Sequence, residues 1–170
     1  MRKDPDELAL LRAAAEATDR VVAALDAVSF AGRTERDVSE EVQSRVLGQG
    51  HDTAPFAIVA SGPNAASPHH EASHRVIQEG DTVVVDFGGR WRGYCSDTTR
   101  TFFVGEPSAE VAEAFAVLEA AQAAGRAAVR PGVAAEDIDR ATRAVIDAAG
   151  YGDQFIHRTG HGIGLEVHEG

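Results

Sequence analysis

The chain has 170 residues, 44% hydrophobic and 25% charged, the balance of a single globular domain rather than of a disordered or membrane-embedded chain. Its 27 acidic against 16 basic side chains give a net charge of −11, a field that repels phosphate backbones and anionic lipids and so excludes nucleic acid and membrane surfaces as expected partners. Cys95 is the only cysteine, which excludes an intrachain disulfide and any multi-cysteine zinc site, so a metal would have to be held by carboxylates and histidines.

The first eleven residues carry Arg2, Lys3, Asp4, Asp6 and Glu7 without the apolar core of a secretory signal, which points to the cytoplasm. From about Asp6 to Val28 the spacing of Leu8, Leu11, Ala15, Val22 and Leu25 predicts an amphipathic helix. A second helix starts at Thr34, whose hydroxyl can cap it with Asp37 at the third helical position; Val38, Val42 and Val46 line one face, and Gly48 and Gly50 end it. The apolar run 56–60 predicts a strand that leads into a loop carrying Pro68, His69 and His70. Residues 82–86, Thr-Val-Val-Val-Asp, read as a strand buried on both sides. Residues 88–93 form a hairpin loop, and 94–104 return as the next strand. Two further helices follow, Ser108 to about Val129 with Val111, Phe115, Leu118 and Ala121 on one face, and Ala134 to Ala149. The glycine-rich end from Phe155 reads as strand and loop.

Asp86 and Asp97 stand eleven residues apart across the expected hairpin. With the turn centred between Arg90 and Trp91, or one residue later, their side chains share a face, diagonal or directly opposite, at roughly 4.5 to 8 Å between Cβ atoms. Buried together without a cation they repel, and one must take up a proton; a divalent metal removes that cost. Alone, the pair reads first as a turn residue and a surface group, since Asp is common near hairpin loops. The run from Thr159 to Glu169 adds His161 between glycines and His168 seven residues on, with His157 four residues before His161. Each alone reads as a hydrogen-bonded loop histidine, but the Gly-Ile-Gly segment can bend His161 and His168 into one cleft.

The strings VVVDFGG, YCSDTTRTFFVG and HRTGHGIGLEVHE, preceded by SGPNAASPHH, resemble in order the signature of the pita-bread metallopeptidases, in the Xaa-Pro aminopeptidase and prolidase branch, over essentially the whole chain. The resemblance implies an α+β pita-bread fold and one catalytic domain over residues 1–170. It implies two divalent metal ions, manganese or cobalt, with Asp86, Asp97 and His161 as ligands. His69, His157 and His168 match histidines that hydrogen-bond the substrate carbonyl and its developing charge. The implied reaction is hydrolysis of the bond between an N-terminal residue and a following proline, in a peptide substrate, by an enzyme that can form homodimers.

The family's last two ligands are glutamates on strands after the histidine motif, where this sequence reaches Gly170. The expectation is therefore a catalytic domain incomplete at its C-terminus, a fragment that by itself binds at most one metal weakly and is inactive. Two alternatives keep the fold and change the function: a noncatalytic peptide-binding module, and a metal-free hydrolase of the creatinase type. Methionine aminopeptidase is a third alternative.

Overall fold

The computed structural model describes residues 2–169. They form two compact units, one built from the residues up to Pro107 together with those from Gly162 onward, the other from Ser108–His161.

In the first unit, helix α1 (Pro5–Leu25) opens with a capping box between Asp4 and Glu7 and with proline in its first turn. It buries Ala14, Ala17, Thr18, Val21 and Leu25, whereas Leu8 is exposed. The buried face is thus offset from the large-residue stripe the spacing suggests. Its small residues let the helix backbone lie close to its neighbours, and Leu8 lies on the exposed side. Helix α2 (Glu35–Gly48) begins as expected at Thr34, with a capping box to Asp37, and buries Val38, Val42 and Val46.

The sheet has β2 (Thr82–Trp91) at its centre, with β1 (Thr53–Ser61) antiparallel on one side and β3 (Tyr94–Cys95) and β4 (Thr98–Phe103) antiparallel on the other. Val83, Val85 and Phe87 point into a core shared with Val21, Leu25, Val38, Val42, Val46 and Val59. Each such side chain contributes about 1.5–3 kcal/mol. The alternate residues Thr82, Val84 and Asp86 are only half-buried, so β2 has one buried face among the described residues rather than the two its composition suggests.

The expected 88–93 loop is also shorter than read. β2 runs on to Trp91, and the turn is the two residues Arg92 and Gly93, with φ of 48° and 90°, the left-handed pair that suits a tight hairpin. Gly88 serves the strand instead: a Cβ there would fall against the carbonyl oxygen of Ser96, well inside van der Waals contact. The return is two strands because the ladder breaks at Ser96, whose hydroxyl, not its carbonyl, accepts from Gly89 N–H at 3.1 Å.

A buried carboxylate ties this unit together. Glu35, with no exposed surface, accepts from Ser61 N–H (2.8 Å) and Oγ (2.7 Å), Asn64 Nδ2 (3.0 Å), His70 Nε2 (2.7 Å) and Ser73 N–H (3.1 Å) and Oγ (2.6 Å). Burial alone would raise its pKa, but the hydrogen bonds from Ser73, Asn64, His70 and Ser61 outweigh it and hold the carboxyl far below the ordinary carboxylate range.

The second unit pairs helices α3 (Ala109–Ala128) and α4 (Ala135–Ala148) and ends in an irregular segment. Ser108 caps α3, Ala121 is buried on it, and Leu118 is exposed. Asp139 of α4 accepts from Thr159 N–H at 2.9 Å and Oγ1 at 2.8 Å, and so fixes the segment that follows. The strand expected after Phe155 is absent among the described residues; an isolated bridge between Gly162 and Glu169 is the only pairing found there. Among the described residues no helix is long and apolar enough to cross a membrane.

Two predictions follow from the packing and the charges. Gly88→Ala should destabilise the protein by about 1–3 kcal/mol or more through overpacking, read from urea unfolding. Stability should also fall in two stages on acidification. Burial depresses the pKa of His51, so its contribution is lost as pH drops below the ordinary 6.5, and that of Glu35 is lost as pH drops below the ordinary 4.5. In Glu35→Gln the second stage should be shallower; an unchanged acid limb would count against the role of this carboxylate.

Candidate metal centre

The register of the hairpin carries two carboxylates to the face of the sheet opposite the core. Asp86 on β2 faces Thr99 on β4, and the pairing of Phe87 with Thr98 and of Arg90 with Cys95 leaves no inserted residue between, which sets Asp97 across from Gly88. The two aspartates are diagonal neighbours, one of the two geometries expected, although the turn lies one residue beyond the later position considered.

Their environment disfavours two charges. Burial pushes the Asp86 carboxyl up, and the charge of Asp97 and a shared-proton contact with it push further; the Thr99 hydroxyl, donating at 2.9 Å, and the nearby His69 imidazole pull the other way. Two oxygen donors that repel one another in a partly desolvated pocket fit a hard divalent cation, which would relieve the repulsion and take up both carboxylates.

The segment around Asp97 is fixed by groups that the sequence gave no reason to select. His51 is buried, its Nε2 at 2.9 Å from Ser96 Oγ and its Nδ1 at 3.3 Å from the Val46 carbonyl, and its ring edge meets Trp91. Burial keeps the ring neutral, so Nδ1–H donates to Val46 while Nε2 accepts from the Ser96 hydroxyl. Asp97 is thus carried by a peptide anchored from behind the sheet.

The histidine motif docks on β3. Gly162 and Glu169 exchange hydrogen bonds of 3.1 and 2.8 Å, closing residues 163–168 into a loop. Cys95 N–H donates to the Gly164 carbonyl at 2.7 Å, Arg90 to that of Leu165 at 2.8 Å, and Glu169 takes Lys3 Nζ at 2.6 Å and Leu165 N–H at 3.0 Å. The loop leaves His168 exposed, with a ring nitrogen within 4.8 Å of an Asp97 carboxylate oxygen. His161 ends the second unit and is joined by one peptide bond to Gly162, the foot of this loop. His157 lies in the second unit, exposed, its ring against Phe155 and its carbonyl accepting from Arg143 at 2.8 Å.

His69 is exposed in the loop after β1, near enough to Asp86 to favour its charged form. Its neighbour His70, which the sequence left without a role, turns inward to Glu35. The fold therefore gathers Asp86, Asp97, His69 and His168 in the first unit. Glu35, His51, His70 and Ser96 act as their supports, and none of the four is marked by local spacing in the sequence.

Paired aspartates on a central hairpin with a histidine loop beside them form a donor set suited to a divalent metal. Residues 9–170 match metallopeptidase family M24, and the chain belongs to that family. It is 48% identical to the probable dipeptidase PepE of Mycobacterium tuberculosis, over 99% of this chain and 45% of that protein. It is 38% identical to the Xaa-Pro dipeptidase of Pyrococcus furiosus, over 98% of this chain and 48% of that protein. Its structure superposes with a TM-score of 0.96 on the prolidase of Thermococcus sibiricus, at 43% identity, covering 99% of this chain and 46% of that one. The chain thus spans about half the length of the relatives it matches, and over that span it has the pita-bread fold. Membership of a metal-dependent family supports binding of a divalent metal.

Asp86→Asn keeps the acceptor for Thr99 and replaces carboxylate repulsion with an amide donor facing Asp97. Without metal the variant should be more stable than the parent by about 1 kcal/mol, read as a higher Tm in chelator. Added divalent cation should raise the Tm of the parent and not that of the variant.

Proposed function

We propose that the protein is a metal-dependent peptidase that hydrolyses the bond between an N-terminal residue and a following proline, as an Xaa-Pro dipeptidase or aminopeptidase. The observation that carries this is the convergence of Asp86 and Asp97 beside His168 in a chain of family M24. The names of its relatives, Xaa-Pro dipeptidase and prolidase among them, support the choice of substrate.

Asp86, Asp97 and His161 would hold the metal, two ions of manganese or cobalt in the working enzyme. The bond to Gly162 keeps His161 at the foot of the loop that bears His168, within a single Cα step of about 3.8 Å. When bound, the ions supply Lewis acidity and bring the pKa of water toward neutrality. The side chains do the rest. His69 and His168 donate to the scissile carbonyl as its oxygen gains charge, a contribution of a few kcal/mol that acts in the transition state. His157 is the third histidine of this set. Neutral His51 and the Ser96 hydroxyl hold Asp97 at its station, so that a substrate carbonyl meets a preformed site.

The test is turnover of Xaa-Pro dipeptides by the protein as its native source makes it, before and after chelation, with Met-Gly peptides as the comparison. Xaa-Pro cleavage should vanish on chelation and return with manganese, and Asp86→Ala combined with Asp97→Ala should lower kcat/KM by about 10³-fold or more. Rates that survive both treatments would identify a metal-free hydrolase. Preference for Met-Gly would identify a methionine aminopeptidase, and peptide binding without turnover a noncatalytic module.

A further inference from the structure

The loop that bears His69 is closed at both ends by a single buried carboxylate. Glu35 binds Ser61 and Asn64 where the chain leaves β1, and His70 and Ser73 where it turns back, so that His69 lies inside a span bracketed by one side chain. The backbone reinforces the bracket. Glu35 N–H donates to the Arg75 carbonyl at 3.0 Å, Arg36 N–H to that of Ser73 at 3.0 Å, and Thr34 pairs with Val76. Arg75 links the two ends again, donating to Ser61 Oγ at 2.7 Å and gripping Asp81, just before β2, with two hydrogen bonds.

This network is more than helix α2 needs. Thr34 and Asp37 already cap its first turn, and an apolar residue at position 35 would bury as well at lower cost, because a buried carboxylate is tolerated only when its hydrogen bonds are complete. All six bonds go to one span of chain, from Ser61 to Ser73, and that span carries His69, close enough to Asp86 to favour its charged form. His70 gives the bracket its asymmetry. Held at 2.7 Å by Glu35, it fixes the backbone immediately beside His69, whose own ring stays exposed.

We propose that Glu35 is a positioning residue for catalysis: through His70, Ser61 and Ser73 it holds the His69 loop so that the His69 ring meets the substrate carbonyl. The proposal rests on the peptidase reading above. Its energetic logic is preorganisation, in which a displacement of about 1 Å at a donor can cost about 10²-fold in rate even when the displaced group is intact.

A double-mutant cycle in the full-length enzyme, assayed on an Xaa-Pro dipeptide with metal supplied, separates this role from general stabilisation. Glu35→Gln should lower kcat by about 10- to 100-fold with KM little changed. In the His69→Ala background the same substitution should cost less than about threefold, because the group it positions is gone. His70→Ala, which keeps the carboxylate, is the second arm for the case in which Glu35→Gln does not fold, and it should show the same collapse. Losses that multiply undiminished in the His69→Ala background would overturn the proposal and leave Glu35 as a stabiliser alone. Activity unaffected by His69→Ala would overturn it too, by removing His69 from the reaction, whereas an enzyme inert on Xaa-Pro peptides before any substitution would instead sink the peptidase reading.

Discussion

Strand β2 has to serve two faces with opposite chemistry, and the rest of the first unit is arranged around that constraint. Val83, Val85 and Phe87 enter the core, while the period of two sends Asp86 to the other side. A slip of one residue in the pairing of β2 with either neighbour would bury Asp86 among valines and expel Phe87, so the apolar core that stabilises the sheet also fixes the station of the carboxylate. The tight turn at Arg92–Gly93 and the glycine opposite Asp97 then transmit that register to β4.

Holding Asp86 and Asp97 together works against stability, since neither burial nor mutual repulsion favours two charged carboxylates. The structure offsets this with groups that are satisfied elsewhere. Glu35 is a buried charge with six hydrogen bonds, and His51 is a buried imidazole with a partner at each nitrogen. Both lie behind segments that carry candidate site residues, one behind His69 and the other behind Asp97. Strain is concentrated where a cation would relieve it, and rigidity is concentrated one layer back.

The histidine motif illustrates a different kind of support. It forms no regular element, yet its carbonyls and amides are taken up by Cys95, Arg90 and the Glu169 side chain, and Lys3 from the start of the chain neutralises that glutamate. Glycine spacing lets the segment fold so tightly that His168 comes beside Asp97 rather than following the alternation of a strand. The bend is what the sequence implied; docking by the Cys95 amide and by the side chains of Arg90 and Lys3 is what holds it.

The sequence by itself determined the capped start of α2, the apolar face of Val38, Val42 and Val46, the core character of β2 and the family motifs that single out Asp86, Asp97, His161 and the other histidines, because these depend on local spacing and on residue type. Other features rest on contacts between residues far apart in the chain. The place of the hairpin turn was one, since Gly88 is demanded by the Ser96 carbonyl and so belongs to a strand. The buried face of α1 was another, set by how closely its alanines approach the sheet. The inward turn of His70 was a third, because Glu35 is 35 residues away in sequence and only the tertiary fold could bring a buried carboxylate to it. Hydrogen-bond completion at long range leaves no periodic trace in a chain, and so the supports of the site emerged only from the structure.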